Sequence, residues 1–309
     1  MIVAVDGRHA GAQRGIARYT TRMCEALAQR GGVTIRPVSR GQIGNAVAAL
    51  AGWPTLRART GADVTWLPAP APAAPGDPYV VTIHDLSWID RPADFTAYER
   101  LWHRLARIER QVRRASAVVC DTPDTAARLA DLWGVAPTVI QPGWEMAAAD
   151  LPEQRERPYF LYVGALEPRK GLDVLERAWA DARPDADLLL AGSGRVAVAG
   201  AERLGPVSDE RLAALYAGAL AVVLPSHLEG FGFTPREAAA CGTPSIVSDL
   251  PSLRIPGALR VPPGDVDAWA EALTVMPSVR DSLIASLPPV RSWAEAAAEL
   301  EVVLRGACA

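Results

Sequence analysis

The chain has 309 residues, half of them hydrophobic, with four cysteines and a formal net charge of −3. That length accommodates two domains, the mild charge argues against nucleic acid as a partner, and no run approaches the ~20 apolar residues of a membrane span. Cys24, Cys120, Cys241 and Cys308 are scattered without metal-ligand spacing. Disulfides and structural zinc are therefore not expected, and a reducing cytoplasmic setting is. Residues 1–150 carry 17 arginines and 14 acids, whereas the remainder carries 14 arginines, one lysine and 21 acids.

Met1-Ile2-Val3-Ala4-Val5-Asp6 reads as a strand, not a signal peptide, because it lacks a basic leader and a cleavage site. A loop ending at Gly15 and a helix over about 16–30 follow, an arrangement that offers backbone N–H groups to a phosphate. Its glycine spacing does not support a nicotinamide dinucleotide. Residues 33–38 and 63–67 are candidate strands, and the Pro/Ala tract from Pro68 to Pro78 is a stiff surface loop, either a connector or acceptor-side. Tyr79–Ile83 is a buried strand ending in His84-Asp85. A histidine there either contacts a ligand or hydrogen-bonds the loop backbone.

A helix is expected over about 96–115, with Leu101, Leu105, Ile108 and Val112 as an apolar stripe and arginines from Arg100 to Arg114 beside it. Those arginines form either a solvated outer face or an attraction to an anionic lipid surface or phosphate-bearing acceptor. Ala117–Cys120 is a core strand, followed by a helix through Leu132 capped by Thr122 or Asp124. Residues 145–158 lose periodicity and read as a linker. The expected domains are 1–145 and 157–288.

In the second half, Tyr159–Gly164 is a strand and Leu172–Ala182 a helix, joined by a loop carrying Arg169 and Lys170. Lys170 is the only lysine among 31 arginines. A compact ammonium beside an arginine suits a diphosphate and its developing charge. Further on, Gly205-Pro206-Val207-Ser208 leads into a helix through Ala219. The stretch Ala219–Ser248 then combines a strand, a loop with Glu229-Gly230-Phe231-Gly232-Phe233, and a short helix. Thr234, Pro235 and Glu237 match a capping box with proline at the first helical position, so Glu237 has a purely structural explanation available. Glu229 precedes Gly-Phe-Gly in a loop, where a carboxylate neither caps nor packs, which favours a ligand-facing role. A helix from 266 is expected through Leu273, and a final helix opens at Ser292 with Glu295 as a second capping box.

E-G-F-G-F-x-x-x-E followed by A-x-A-C-G-T-P resembles the signature of the family 4 retaining glycosyltransferases. The segment ending Arg169-Lys170-Gly171, the V-V-T-I-H-D-L run at 80–86 and Gly15-Ile16-Ala17-Arg18-Tyr19 resemble further elements of that family. The resemblance implies an α/β GT-B fold of two Rossmann-like domains facing a central cleft, the first completed by a C-terminal helix within 291–309. It implies transfer of a hexose from a nucleotide-diphosphate sugar with retention, by a front-face route, with no metal and no cofactor beyond the donor. His84, Arg169, Lys170 and Glu229 inherit catalytic roles. Gly15, Val207, Gly230, Phe231, Gly232, Phe233, Thr234 and Glu237 inherit donor-binding ones, with Glu237 on the ribose and Val207 by the base.

The N-terminal motifs resemble bacterial mannosyl- and rhamnosyltransferases, which implies mannose and GDP-mannose, with a glycan, lipid-linked or small-molecule acceptor. The implied setting is cytoplasmic, with peripheral contact at the inner membrane face through the Arg100–Arg114 helix as the sharper reading of those arginines. The chain departs from the pattern at Ala17, in the ten residues between Gly194 and Gly205, where the family has a helix and a strand, and after Ser248. A non-catalytic scaffold or a sugar-nucleotide epimerase of the same fold are the alternative readings.

Overall fold

The computed structural model describes residues 1–7, 15–38, 61–71, 75–146 and 151–308. The loop before Gly15, the middle of the Pro/Ala tract and residues 147–150 of the expected linker lie outside the described residues. The chain divides into two compact units, Met1–Gly143 with Arg291–Ala309, and Trp144–Val290. Each holds a six-stranded sheet.

In the first unit, β1 (Ile2–Asp6), β2 (Thr34–Val38), β3 (Val64–Leu67), β4 (Tyr79–Ile83), β5 (Ala117–Cys120) and β6 (Thr138–Val139) lie in the order β2-β1-β3-β4-β5-β6. All pairings are parallel. Both β3 and β4 are buried at every residue, as required of strands covered on both faces. Around this sheet lie α1 (Gly15–Gln29), α2 (Ser87–Asp90), α3 (Ala97–Ala106), α4 (Ile108–Arg114) and α5 (Pro123–Trp133). Thr122 caps α5 by accepting from the Thr125 amide, an interaction worth about 1 kcal/mol.

The single helix expected over 96–115 is two helices. A reciprocal box between Thr96 and Glu99 starts α3 as the pattern requires, but Arg107 takes a left-handed conformation (φ 46°) and ends it. The break is sustained by Gln111, which is buried and donates its side-chain amide to the carbonyls of Ala106 (2.9 Å) and Ala71. The expected apolar stripe is split as a result. Ile108 and Val112 enter the core, whereas Leu101 and Leu105 stand 52% and 39% exposed.

In the second unit, β7 (Tyr159–Val163), β8 (Asp187–Ala191), β9 (Ala201–Gly205), β10 (Ala221–Leu224), β11 (Ser245–Ser248) and β12 (Ala258–Val261) are ordered β12-β11-β10-β7-β8-β9, again parallel. The period of two along each strand divides its apolar side chains between two cores. Phe160, Tyr162, Leu188, Leu190 and Val223 pack with α6 (Leu172–Ala182), while Tyr159, Leu161, Leu189 and Val222 pack with α7 (Asp209–Gly218) and α8 (Phe233–Ala240). The shortened stretch before Gly205 still supplies a strand, β9, at the sheet edge. Helix α9 (Val266–Ile284) runs beyond the expected end at Leu273 and carries Pro277 inside it. Met276, Val279 and Leu283 continue its apolar stripe onto the core, which offsets a proline cost of about 3 kcal/mol.

The last helix, α10 (Trp293–Cys308), belongs to the first unit. The Ser292–Glu295 box forms as expected, and Trp293, Ala296, Leu300 and Leu304 are buried. Arg30 at the end of α1 ion-pairs with Glu301 at 2.7 Å. A Cβ on Gly143 would lie 2.5 Å from the Trp293 nitrogen, so glycine is required where these segments cross.

Candidate active site

Strand order in the second unit reverses between β7 and β10. In a doubly wound sheet that reversal opens a crevice outside the carboxyl ends of the two strands, where ligands bind. The loops that follow those strands are 164–171 and 225–232. They carry Lys170 and Glu229.

The geometry draws the two loops together. Gly171 has φ 66°, and a Cβ there would lie 2.1 Å from the Pro225 carbonyl oxygen, so only glycine lets the backbones approach. The His227 amide donates to the Arg169 carbonyl at 3.1 Å. Lys170 Nζ then forms an ion pair with Glu229 Oε1, each side chain 12% exposed. The same carboxylate oxygen accepts from Ser226 Oγ at 2.7 Å, and the Glu229 carbonyl accepts from Ser252 Oγ at 2.8 Å. Arg169 lies on the same turn, ion-paired with Glu167 at 3.2 Å.

The Glu229 loop enters α8 through Gly232, whose left-handed φ of 73° starts the helix at Phe233. The expected capping box therefore does not form. Thr234 lies inside the first turn, and its hydroxyl donates to the Val163 carbonyl at the end of β7 (3.2 Å). Glu237 is one turn further in, 4% exposed, and accepts from the Tyr216 hydroxyl at 3.0 Å. Pro235 has no N–H, so Phe233 and Thr234 supply the amides of this helix start.

The ring of Phe231 points inward, 4% exposed, against Phe233 (5.0 Å) and Trp144 (6.1 Å). The guanidinium of Arg236 lies 4.1 Å over that ring and donates to the carbonyls of Phe231, Gly232 and Ser252. Sequence reasoning does not single out Arg236, Ser226 or Tyr216; Arg236 at least carries a signal, since it and Glu237 are the two charged residues within 231–240. Val207 is partly buried against the Tyr159–Leu161 core, just after Gly205 (φ 70°).

His84 and Gly15 belong to the first unit. Gly15 opens α1. His84 follows β4 with Nδ1 2.6 Å from Asp121 Oδ2 and Nε2 2.8 Å from the Pro68 carbonyl oxygen. Both partners are acceptors, so the geometry calls for an N–H on each ring nitrogen. Burial opposes the charged ring, but the charge and hydrogen bond of Asp121, with the Pro68 carbonyl and Asp85, outweigh it and raise the His84 pKa. Tyr19 packs edge-on against the imidazole at 4.7 Å. Asp121, fully buried at the end of β5, was missed; its signal is a carboxylate placed directly after an apolar core strand.

Comparison with known proteins agrees with this architecture. Residues 157–276 match the model for "Glycosyl transferases group 1" and residues 33–147 that for "Glycosyltransferase Family 4". The D-inositol 3-phosphate glycosyltransferase of Streptosporangium roseum is 31% identical over 76% of this chain and 65% of its own length. The O-antigen chain mannosyltransferase RfbU of Salmonella typhimurium is 28% identical over 66% and 62%. The chain spans 40% to 65% of the length of five such relatives. Among solved structures, the sucrose-phosphate synthase of Thermosynechococcus elongatus superposes with a TM-score of 0.74 at 20% identity, covering 99% of this chain and 98% of its own. WaaG, a glycosyltransferase involved in lipopolysaccharide biosynthesis, gives 0.70 at 16%, covering 97% and 94%. The chain belongs to the family 4 glycosyltransferases, and its two six-stranded parallel α/β units have the GT-B fold.

Proposed function

We propose that the protein is a retaining, metal-independent glycosyltransferase that moves a hexose from a nucleotide-diphosphate sugar to a glycan, lipid-linked or small-molecule acceptor. The observation that carries this reading is the meeting of Lys170 and Glu229 at the β7/β10 switch point, beside the start of α8. On donor binding, Lys170 and Arg169 take the diphosphate, with the Phe233 and Thr234 amides adding the positive end of a helix. Glu229 and the Gly230–Gly232 backbone hold the sugar, and Glu237 the ribose. Val207 contacts the base, and the family resemblance assigns Gly15 to the diphosphate and His84 to the sugar.

The bond between the anomeric carbon and the diphosphate oxygen breaks, and its electron pair stays on the leaving phosphate. The acceptor oxygen attacks the same face and gives its proton to that phosphate. Cations and amides preset at the leaving group stabilise the charge as it develops. We assign mannose and a guanine nucleotide as the donor, following the mannosyltransferase names among the relatives. Structural neighbours solved with UDP make uridine the competing base. The reading also includes a cytoplasmic location and peripheral contact of the 100–114 arginines with an anionic membrane.

The test is a thermal-shift panel of GDP, UDP, ADP and dTDP, with and without EDTA, on wild type and Lys170→Ala. One diphosphate is expected to stabilise the wild type regardless of EDTA and the variant much less. Failure of all four would overturn the transferase reading in favour of a scaffold.

A further inference from the structure

The chain passes from the first unit to the second between Gly143 and Trp144. Gly143 is confined, since a Cβ there would meet the Ser292 and Trp293 backbone within 2.7 Å. Nearby, Arg291 Nε donates to the Gln141 carbonyl at 3.0 Å. The backbone entering Trp144 therefore starts from a fixed point.

Trp144 is 8% exposed, and its ring centroid lies 6.1 Å from that of Phe231, tilted by 45°. The Arg236 guanidinium carbon stands 5.9 Å from the centre of the indole and 4.1 Å from that of Phe231, so two aromatic faces hold one cation. Arg236 in turn donates to the carbonyls of Phe231, Gly232 and Ser252. The Ser252 hydroxyl donates to the Glu229 carbonyl at 2.8 Å, and the Glu229 carboxylate holds Lys170. A continuous set of contacts thus runs from Trp144 to the Lys170–Glu229 pair. The indole N–H takes no part. Among the described residues, Trp144 Nε1 is buried with no hydrogen-bond partner, which costs stability. What tryptophan supplies at this place is its ring face.

We propose that Trp144 is a positioning residue for the donor site. Its indole face keeps the Arg236 fork where it reaches three carbonyls, and so sets the 229–232 loop from the point where the chain enters the second unit. This rests on the transferase reading, in which that loop and Lys170 hold the donor, and adds to it a residue that acts through Arg236. An alkyl side chain fills space but offers the guanidinium no electron-rich face.

The test is diphosphate affinity on the full chain. GDP, UDP, ADP and dTDP are each titrated on wild type, and the tightest is carried to the variants. Trp144→Leu is expected to weaken it about fivefold, the size of one such contact. Trp144→Phe keeps an aromatic face, drops the unpartnered N–H and should stay within about twofold. Arg236→Met is expected to cost less in the Trp144→Leu background than in wild type, because the two side chains act as one unit. Trp179→Leu controls for lost packing. That tryptophan lies in the same unit, edge-on to Phe160 at 5.8 Å, and its loss should lower the melting temperature while leaving affinity within about twofold. Should Trp144→Leu fail to fold, Trp144→Met makes the same comparison with more of the volume kept.

An affinity within twofold in Trp144→Leu, or losses that multiply in the double variant, overturns the positioning role alone. So does an equal loss in Trp144→Phe, which removes the ring face as the cause, or in Trp179→Leu, which leaves packing as the cause. Absence of binding by all four diphosphates to wild type overturns the transferase reading, and the wild-type titration gives that result before any variant is made.

Discussion

Lys170 and Glu229 form an ion pair at the strand-order reversal of the second unit, with both side chains 12% exposed and Ser226 on the same carboxylate oxygen. A charge this shielded is costly to leave alone, so the pair holds each member in place until a ligand offers replacements. On the proposed reading, a diphosphate would replace the carboxylate for Lys170, and a sugar hydroxyl the ammonium for Glu229.

Lys170→Met is expected to lower stability by about 1–3 kcal/mol, because it strands Glu229 with only the Ser226 hydroxyl. Glu229→Gln is expected to cost less, since an amide oxygen can still accept from Ser226. Turnover of the donor should fall by about 10²–10³ in Lys170→Met, the size of a lost charge stabiliser at a leaving group. Urea melts and initial rates check both. Equal stability of the two variants would contradict the ion-pair account.

Gly171→Ala is expected to be disproportionately harmful for a single methyl. The added carbon would meet the Pro225 carbonyl at 2.1 Å in a left-handed backbone, so the 168–171 turn must move. A loss of about 2–4 kcal/mol and a rise in donor KM are expected. Gly242→Ala serves as control: it shares the left-handed backbone (φ 78°) but has nothing within 4 Å of the added carbon, so it should cost about 1 kcal/mol. If the two alanines behave alike, close approach is not what Gly171 provides.

Arg236 acts on the glycine loop from below, through the Phe231, Gly232 and Ser252 carbonyls. Arg236→Lys keeps the charge but cannot reach three carbonyls with a planar fork. Arg236→Lys and Arg236→Met are both expected to raise donor KM several-fold while leaving kcat within about threefold, an effect of about 1 kcal/mol in binding. A change confined to kcat would place Arg236 in the chemistry instead.

The sequence made Lys170 and Glu229 legible for separate reasons, a lone lysine among arginines and a loop carboxylate beside glycines. Their pairing was not legible, because it depends on the Gly171–Pro225 approach, a contact between segments more than fifty residues apart. The capping reading of Thr234 failed through Gly232: its positive φ starts the helix early and leaves Glu237 to Tyr216. Nothing local marked Arg107 as a break, since arginine is an ordinary helix former. Gln111 fills the freed Ala106 carbonyl, and that is a tertiary choice. Most strands, in contrast, were legible as short apolar runs bounded by glycine and proline, whereas their arrangement in two Rossmann-like units came from the family resemblance.

His84 gives the pH dependence its sign. Its two ring nitrogens face Asp121 and the Pro68 carbonyl, so the folded state favours the imidazolium and the pKa lies above the ordinary 6.5. Stability from this contact is complete below 6.5 and is lost as pH rises through the raised folded value. Asp121→Asn removes the charge-assisted bond and is expected to cost about 1.5–3 kcal/mol at pH below 6.5. Above the folded-state pKa, the gap between variant and wild type should narrow, because the wild type has given up its own share. Melting curves across pH, with the His84 ring followed by NMR, check this. A gap constant with pH, or a His84 that titrates at or below 6.5, would contradict the two-acceptor geometry.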